Sequence, residues 1–388
     1  LTEPQAGSDV GALRSKAEPI GDGSYAITGQ KIYISWADND FSANVCHLVL
    51  ARLPDGVAGT KGISLFIVPK LIPNTDGTLG KHNNLSIVSL EHKLGLHGSP
   101  TAVMEYCGAQ GWLVGPKNGG MAAMFTMMNN ARLGVGVQGI GAAEGAYQHA
   151  LAFAMNRKQG KTSGSGSIIE HADVRRMLAS MKADIFAARS IALMNAVAID
   201  MATATGDATW RARAAFLTPI CKAFGTDVGI EVASTGIQVH GGMGFVEEAG
   251  AAQYYRDVRV TAIYEGTNGI QAMDLVARKL MDGGEAALAI LDEIEAGADA
   301  AKVTQPDLAS TVWSAAASLR EATEWLVDQD LTDRFAGAVP YLRAFARVLG
   351  GHAHLAAATS GDAARARLAA FYINRLLPEH TSLLAHTR

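Results

Sequence analysis

A single long helical pattern runs through residues 170–204, EHADVRRMLASMKADIFAARSIALMNAVAIDMATA. Its apolar residues recur at steps of three and four positions, at Val174, Leu178, Met181, Ile185, Ala188 and Ala192. At a rise of 1.5 Å per residue, such a helix is roughly 50 Å long, which is typical of a helical bundle and not of an α/β layer. The sequence therefore predicts a helical bundle around this segment.

Helical patterns continue on both sides of this segment. One runs from 120 to about 158 and another from about 208 to 234. A further helix is predicted after Thr267 or Asn268, either of which is placed to cap it. Beyond residue 283 the chain becomes rich in Ala and Leu, and its charged residues are expected to face solvent. Helical runs are predicted there near 285–296, 306–328, 333–358 and 361–386.

The region from 25 to 115 has the pattern of β-structure. Short alternating or β-branched runs, at 25–28, 31–35, 47–53 and 62–68, are separated by turn signals. The predicted fold class is therefore α+β and multidomain. We expect a β-sandwich or barrel domain at 1–118, a helical bundle at 119–283 and an additional C-terminal helical domain at 284–388.

Composition limits the possible partners. A formal net charge of −4 over 388 residues gives no electrostatic reason to expect nucleic acid. The longest apolar runs are far shorter than the roughly 20 residues that span a bilayer, so no membrane span is predicted. Three widely spaced cysteines exclude a CxxC motif and favour a reducing, cytoplasmic location. The chain begins at Leu1 without a leader pattern, and we expect it to be incomplete at its N-terminus.

Glu265 is the first candidate for chemistry. It lies between the apolar run 260–264 and Gly266, where a helix begins. A carboxylate there is favourable to a helix N-terminus for purely structural reasons, and that interpretation is the more common one. Apolar neighbours also favour a carboxyl group that can accept a proton, so a catalytic base remains the alternative.

The glycine cluster at Gly241, Gly242 and Gly244 has two interpretations as well. Glycines let backbone N–H groups approach a phosphate, but they also end helices. No P-loop, HExxH or GxSxG motif occurs in the chain. The histidines are scattered without ligand spacing, so no metal site is predicted.

Five segments in order then resemble one family, the acyl-CoA dehydrogenases. They are LTEPQAGSD at 1–9, GQKIYIS at 29–35, NRKQG at 156–160, QVHGGMGF at 238–245 and YRDVRVTAIYEGTN at 255–268. The resemblance covers about residues 1–280 and implies a β-domain followed by a four-helix bundle. In this family a helical domain precedes the β-domain, and its absence here would leave the acyl pocket without one wall. The tail is similar to that of the larger members, those acting on 3-methylmercaptopropionyl-CoA among them.

The resemblance also implies roles for single residues. Glu265 matches the catalytic carboxylate. The expected substrate contacts are Ser8, which could also face the FAD phosphates, and Asn129 and Arg132 near the CoA moiety. The expected FAD contacts are Thr2, Tyr33, Ile34, Ser35, Arg157, Gln159, His171, Gln238, His240, Gly241, Gly242, Gly266, Thr267 and Asn268. Of these, Arg157, Gln159 and the loop Gln238–Gly242 match positions that reach the FAD of a neighbouring subunit.

The activity that the resemblance implies is α,β-dehydrogenation of an acyl-CoA to its trans-2-enoyl-CoA, with FAD as the hydride acceptor. Electron-transfer flavoprotein is the expected electron acceptor and a homodimer the expected assembly. Two alternatives remain open. A related flavin oxidase or monooxygenase would release peroxide or consume oxygen, whereas a non-catalytic binding protein with the same fold would be purified without FAD.

Overall fold

The structure, a computed structural model, describes residues 1–388. The chain divides into two compact units, Leu1–Asn130 and Ala131–Arg388. Each unit contains its own hydrophobic core. The predicted α+β class is confirmed, since strands occupy the first unit and helices the second.

The first unit is a β-barrel. Its strands are β1 (Lys16–Pro19), β2 (Tyr25–Ser35), β3 (Cys46–Arg52), β4 (Ile63–Pro69), β5 (Leu71–Pro73), β6 (Leu79–His82), β7 (Leu85–Leu90) and β8 (Thr101–Val114). The main sheet has the order β2-β1-β3-β4-β8-β7, and β2 pairs with β8 as well. That extra pairing closes five strands into a ring, which removes their open edges. The predicted runs at 25–28 and 31–35 are parts of one strand, β2.

A buried ion pair ties the N-terminal segment to the barrel. The Lys31 ammonium lies 2.6 Å from a Glu3 carboxylate oxygen, and the two side chains are 2% and 3% exposed. Glu3 also accepts hydrogen bonds from the backbone N–H of Arg14 and from Ser15. Burial alone would raise the pKa of Glu3, but the bonds from Lys31, Ser15 and Arg14 lower it to about 2. The segment 1–9 is therefore fixed against β2 by its third residue.

The second unit consists of helices. They are α1 (Gly120–Asn156, whose first turns belong to the first unit), α2 (Ala172–Thr205), α3 (Ala208–His240), α4 (Ala251–Val258), α5 (Asn268–Arg278), α6 (Glu285–Ala301), α7 (Pro306–Val327), α8 (Leu331–Ala336), α9 (Ala338–Ala358), α10 (Ala363–Arg375) and α11 (Glu379–Thr387). The long helices agree with the sequence patterns. Two predicted runs, 333–358 and 361–386, are each split into two helices, and the short helix α4 was not predicted.

Helix α2 is long and apolar enough to cross a membrane by length and composition alone. That is weak support for a membrane span, because the core helix of a globular protein has the same properties. Leu178, Met181, Ile185 and Ile191 of α2 are buried in the core that this helix shares with α3. The expectation that the chain has no membrane span stays a prediction.

The helices after residue 283 share one core with the bundle. Helix α9 packs against α2, α3, α5 and α7, and two of its arginines form ion pairs with neighbouring helices. Arg347 pairs with Asp184 of α2 and with Glu379, and Arg343 pairs with Glu231 of α3. The expectation that the charges of this tail face solvent is therefore wrong for Arg343 and Arg347. Apolar periodicity did not reveal the ion pairs of Arg343 and Arg347, because most residues around these arginines in α9 are small or apolar.

Replacing Lys31 by Met tests the anchoring of the N-terminal segment. The change leaves the buried Glu3 carboxylate without its cation, so we expect the free energy of unfolding to fall by about 3–5 kcal/mol. Lys302→Met is the control, because Lys302 and its partner Asp299 are half exposed; it should change stability by less than about 0.5 kcal/mol. Urea unfolding measures both, and equal effects would contradict the role given to the buried pair.

Candidate active site

A left-handed turn presents Glu265. The residue has φ +55° and the following Gly266 has φ +87°, in the loop that leads into α5. An L-residue other than Gly is strained in this region, by about 1–2 kcal/mol. Such strain persists only where surrounding contacts hold it, and it is concentrated at functional sites.

The polar groups of Glu265 are available to a ligand. Its half-buried carboxylate has no hydrogen bond or ion pair within the chain, and its backbone N–H has no acceptor there. The expectation of a carboxylate beside the N-terminus of a helix is met, because α5 begins three residues later. Thr267 is the residue that caps this helix, accepting from the backbone N–H of Ile270 at 3.3 Å.

Two cations from different helices lie close to the turn. The guanidinium of Arg132, on α1, is 3.8 Å from the position that a Cβ on Gly266 would take. Lys222, on α3, is fully buried and donates to the carbonyl oxygen of Gly266 at 2.8 Å. Burial lowers the pKa of Lys222 to about 8, against the charges of Asp227 and Glu265, which act to raise it. Both cations also interact electrostatically with the carboxylate of Glu265.

Polar groups of α5 complete the support of the turn. Asn268 accepts a hydrogen bond from Lys222 at 2.9 Å and donates to Asp227 at 2.7 Å. The buried Gln271 donates to the carbonyl oxygen of Gly266 at 3.3 Å and to that of Glu265 at 3.5 Å. Both carbonyls of the left-handed pair are therefore held by side chains from outside the turn.

Arg132 is buried, at 5% exposed, and its ion pair is with Asp274 of α5 at 3.6 Å. The structure therefore places this residue beside the turn that carries Glu265. Asn129 and Ser8, the other expected substrate contacts, are exposed residues of the first unit. The contacts of all three with substrate stay predictions.

A second group of predicted cofactor residues lies at the far end of α1. Arg157 and Gln159 follow this helix directly, and the carbonyl of Gln159 lies 2.8 Å from the imidazole Nε2 of His171. The backbone N–H of Ile168 donates to the carbonyl of Arg157, which folds the loop 157–171 back on itself. The side chains of Arg157 and Gln159 are exposed.

The loop Gln238–Gly242 belongs to this same end. The ring of His240, the last residue of α3, lies 4.4 Å from that of Phe153 near the end of α1. His240 is 4% exposed and its Nε2 has no partner in the chain. Gly241 is left-handed, and a Cβ on Gly241 or Gly242 would meet no atom within 4 Å. Open space beside bare backbone and an unsatisfied imidazole nitrogen suit a polar ligand.

The predicted cofactor residues of the barrel lie at an irregularity of β2. The pairing with β8 shifts between Lys31 and Ile34, and Tyr33 within it has φ +61° and is 63% exposed. The Ser35 hydroxyl next to it is exposed, 3.4 Å from that of Thr101. The carbonyl of Thr2 accepts from the backbone N–H of Ile32, which puts the N-terminal motif alongside this bulge.

Four residues at the turn were missed by the sequence patterns: Lys222, Asp227, Gln271 and Asp274. Polar residues on predicted helices usually face solvent, so nothing in their spacing marks them as buried. No group of three or more His, Cys, Asp or Glu side chains is arranged to hold a metal ion.

Replacing Gly266 by Ala tests the left-handed turn. The added Cβ would lie 2.6 Å from Nε2 of Gln271, at a φ that L-residues disfavour, so we expect a loss of about 1–3 kcal/mol in the free energy of unfolding. Gly269→Ala is the matched control, since its Cβ would meet only Thr267 Oγ1 at 3.9 Å and the site is helical. That control should be neutral or stabilise by up to about 1 kcal/mol. Thermal unfolding measures both variants, and a Gly266→Ala protein more stable than the Gly269→Ala protein would contradict the left-handed conformation of Gly266.

The chain matches families of known proteins. Three family models match it: acyl-CoA dehydrogenase, middle domain, at residues 1–107; acyl-CoA dehydrogenase, C-terminal domain, at 118–281; and acetyl-CoA dehydrogenase C-terminal like, at 290–388. The chain is 47% identical over 359 residues to 3-methylmercaptopropionyl-CoA dehydrogenase of Ruegeria pomeroyi, covering 88% of the chain but 61% of that relative.

Proteins of lower sequence identity are also similar to the chain, one in sequence and one in fold. The acyl-CoA dehydrogenase of Bacillus subtilis is 32% identical, with 73% of the chain and 68% of that protein covered. The fold matches the Caenorhabditis elegans structure of ACDH-11 in complex with C11-CoA at a TM-score of 0.84 and 22% identity, over 96% of the chain and 63% of that structure. The chain belongs to the acyl-CoA dehydrogenase family.

Proposed function

We propose that the protein catalyses FAD-dependent α,β-dehydrogenation of an acyl-CoA thioester to the trans-2-enoyl-CoA, with Glu265 as the base. The observation that carries this proposal is the state of Glu265. A half-buried carboxylate without a partner is held on strained backbone, and both features are costly unless a ligand uses them. Family membership supports the reaction class.

The reaction breaks two C–H bonds of the acyl chain. The proton on carbon 2 passes to the carboxylate of Glu265, and the electron pair left behind forms the new double bond as a hydride leaves carbon 3. FAD, when bound, supplies the acceptor for that hydride. Because the carboxylate is already free of other hydrogen bonds, no internal contact has to break before it takes the proton.

Negative charge develops on the thioester oxygen as the proton leaves. A backbone N–H without an acceptor is a suitable donor to such an oxygen, and Glu265 has one. The same residue would then remove the proton and help to stabilise the charge that results. Lys222 and Arg132 add a positive field at this position.

The residues present fit FAD. An exposed aromatic ring on a bulge, Tyr33, suits stacking on a flavin, and the neighbouring Ser35 offers a hydroxyl. The open glycine backbone at Gly241 and Gly242 and the unsatisfied Nε2 of His240 suit a phosphate or a ribose. We propose that these residues hold the cofactor together with the other predicted contacts, Thr2, Ile34, Arg157, Gln159, His171, Gln238, Gly266, Thr267 and Asn268.

For the substrate we propose a short- or medium-chain acyl-CoA, with 3-methylmercaptopropionyl-CoA as the first candidate to test. The relative that carries this name shares 47% identity with the chain. Electron-transfer flavoprotein is the proposed electron acceptor. Free thiols at Cys46, Cys107 and Cys221 support a cytoplasmic location, where such thiols stay reduced.

Replacing Glu265 by Gln tests the catalytic base. We expect the variant to bind FAD normally and to lose about 10²–10⁴-fold in the rate of flavin bleaching by acyl-CoA, because the amide cannot accept the proton. Glu324→Gln is the control, since Glu324 is exposed on α7, and it should bleach as the unaltered protein does. Bleaching followed by visible absorbance without oxygen measures both. Undiminished bleaching in Glu265→Gln removes this residue from the mechanism, and stoichiometric peroxide during turnover identifies an oxidase instead.

We further propose a homodimer in which each FAD contacts both subunits. Arg132 lies at the turn that carries Glu265, whereas Arg157 and the loop Gln238–Gly242 lie at the C-terminal end of α1. The helix between Arg132 and Asn156 is roughly 36 Å long at 1.5 Å per residue. Two groups of predicted cofactor residues separated by this distance favour one chain that serves two FAD molecules.

Mixed dimers test the shared site. One subunit carries Glu265→Gln and the other carries Arg157→Ala with Gln159→Ala, each with its own affinity tag. If every site combines Glu265 of one subunit with Arg157 of the other, each parent dimer is inactive but a mixed dimer keeps one intact site. Purified mixed dimers should then show about half of the unaltered activity per dimer. Activity no higher than the mean of the two parents would show that the site is contained in one chain.

A further inference from the structure

We infer that Lys222 is a positioning residue for the catalytic turn: its buried ammonium holds the carbonyl of Gly266 and so fixes the backbone that presents Glu265. This inference rests on the proposed function for its consequence in catalysis, but its structural part stands apart from it. Lys222 lies on α3, 43 positions before Glu265, and its ammonium contacts Gly266 and Asn268. It acts through the turn and not on the reacting bonds.

The turn needs such a support. Glu265 and Gly266 are both left-handed, a conformation that an isolated chain would leave. The lysine bond to Gly266, at 2.8 Å, is the shortest of the three side-chain bonds to the carbonyls of this pair, the other two coming from Gln271 at 3.3 and 3.5 Å. A bond from a charged donor is also stronger than one from an amide. The lysine is therefore the main external restraint on the turn.

Asn268 holds the side chain of Lys222 in position. Lysine only donates and an ionised carboxylate only accepts, so the amide of Asn268 has one satisfactory orientation, with its oxygen toward Lys222 and its nitrogen toward Asp227. Asn268 also bonds Thr226, at 3.0 Å from its amide nitrogen. Asn268, the first residue of α5, thus contacts Lys222, Thr226 and Asp227 of α3. These contacts restrict the movement of the turn that precedes α5.

Stability alone does not explain a lysine here. Burial lowers the pKa of Lys222 from its ordinary value of 10.5 to about 8, so the unfolded chain holds this proton more tightly than the folded one. The resulting cost to folding is present in full below about pH 8 and is relieved as the pH rises toward 10.5. Asp227 and Glu265 reduce that cost, whereas Arg132 on α1 adds to it. A buried cation that costs stability at neutral pH points to a role in the site.

The test compares Lys222→Met with Thr323→Val in the FAD-loaded protein. Thr323 is also fully buried and hydrogen-bonded, to Leu319 and Tyr341 on α7 and α9, so its loss controls for general destabilisation. We expect Lys222→Met to lower the rate constant of flavin bleaching at saturating acyl-CoA by about 100-fold per bound flavin, because the base is misplaced. The acyl-CoA concentration for half-saturation should change less than about threefold, since uniform binding is untouched.

The second readout does not depend on activity. Amide hydrogen exchange of the peptide covering residues 260–270 should speed up at least about tenfold in Lys222→Met and stay unchanged in Thr323→Val, because of these two residues only Lys222 contacts the turn. Lys222→Gln, a neutral donor, should lie between the two. It also replaces Lys222→Met in both readouts if that variant does not fold.

The outcomes separate the two proposals. Unchanged exchange at 260–270 overturns the role of Lys222, whatever the activity. Faster exchange with an unchanged bleaching rate shows that the turn is loosened without consequence for the base, which also overturns it. If the unaltered protein does not bleach with any acyl-CoA, the proposed function fails, and the exchange result still decides whether Lys222 restrains the turn.

Discussion

The left-handed conformation of Glu265 and Gly266 is the constraint on which the site depends. No local sequence preference supports it at a glutamate, so its energy must come from elsewhere in the fold. It comes from two helices: α3, which is distant in sequence, contributes Lys222, and α5, which follows the turn directly, contributes Gln271. The bundle is therefore more than a scaffold, because its packing sets the backbone angles of one residue.

Much of the architecture could be predicted because it follows from repeated patterns. The period of three and four residues located α1, α2 and α3, and Thr267 was one of the two residues, with Asn268, that residue type and place offered as the cap of α5. Closure of the barrel was not specified, since the pairing of β2 with β8 joins strands about 75 residues apart. Sequence patterns reflect residues that are neighbours along the chain, whereas closure of the barrel is a contact between remote parts of the chain.

The site was predictable only in part, for a related reason. Glu265 was found because a motif marks it, and the resemblance to a family made that motif specific. Lys222 and Asp227 stand on a helix among apolar residues and look like ordinary surface charges. In the structure Lys222 is buried and Asp227 is half-buried, and Asn268 forms hydrogen bonds with both. Arg347 of α9 was misjudged in the same way, as its partner Asp184 is far away in sequence.

Two stretches of α1, around Arg132 and around Phe153, have different chemical surroundings. Around Arg132, contacts with α3 and α5 hold the groups that support the turn, whereas the carboxylate and backbone N–H of Glu265 and Oε1 of Gln271 have no partner in the chain. At the end near Phe153 the polar groups are exposed or unsatisfied, as in Arg157 and His240. Groups of that kind gain from a ligand that comes from outside the chain. Both stretches of the helix thus lie beside polar groups that are open to a ligand, and the proposed homodimer would bring the two kinds of group together at one FAD.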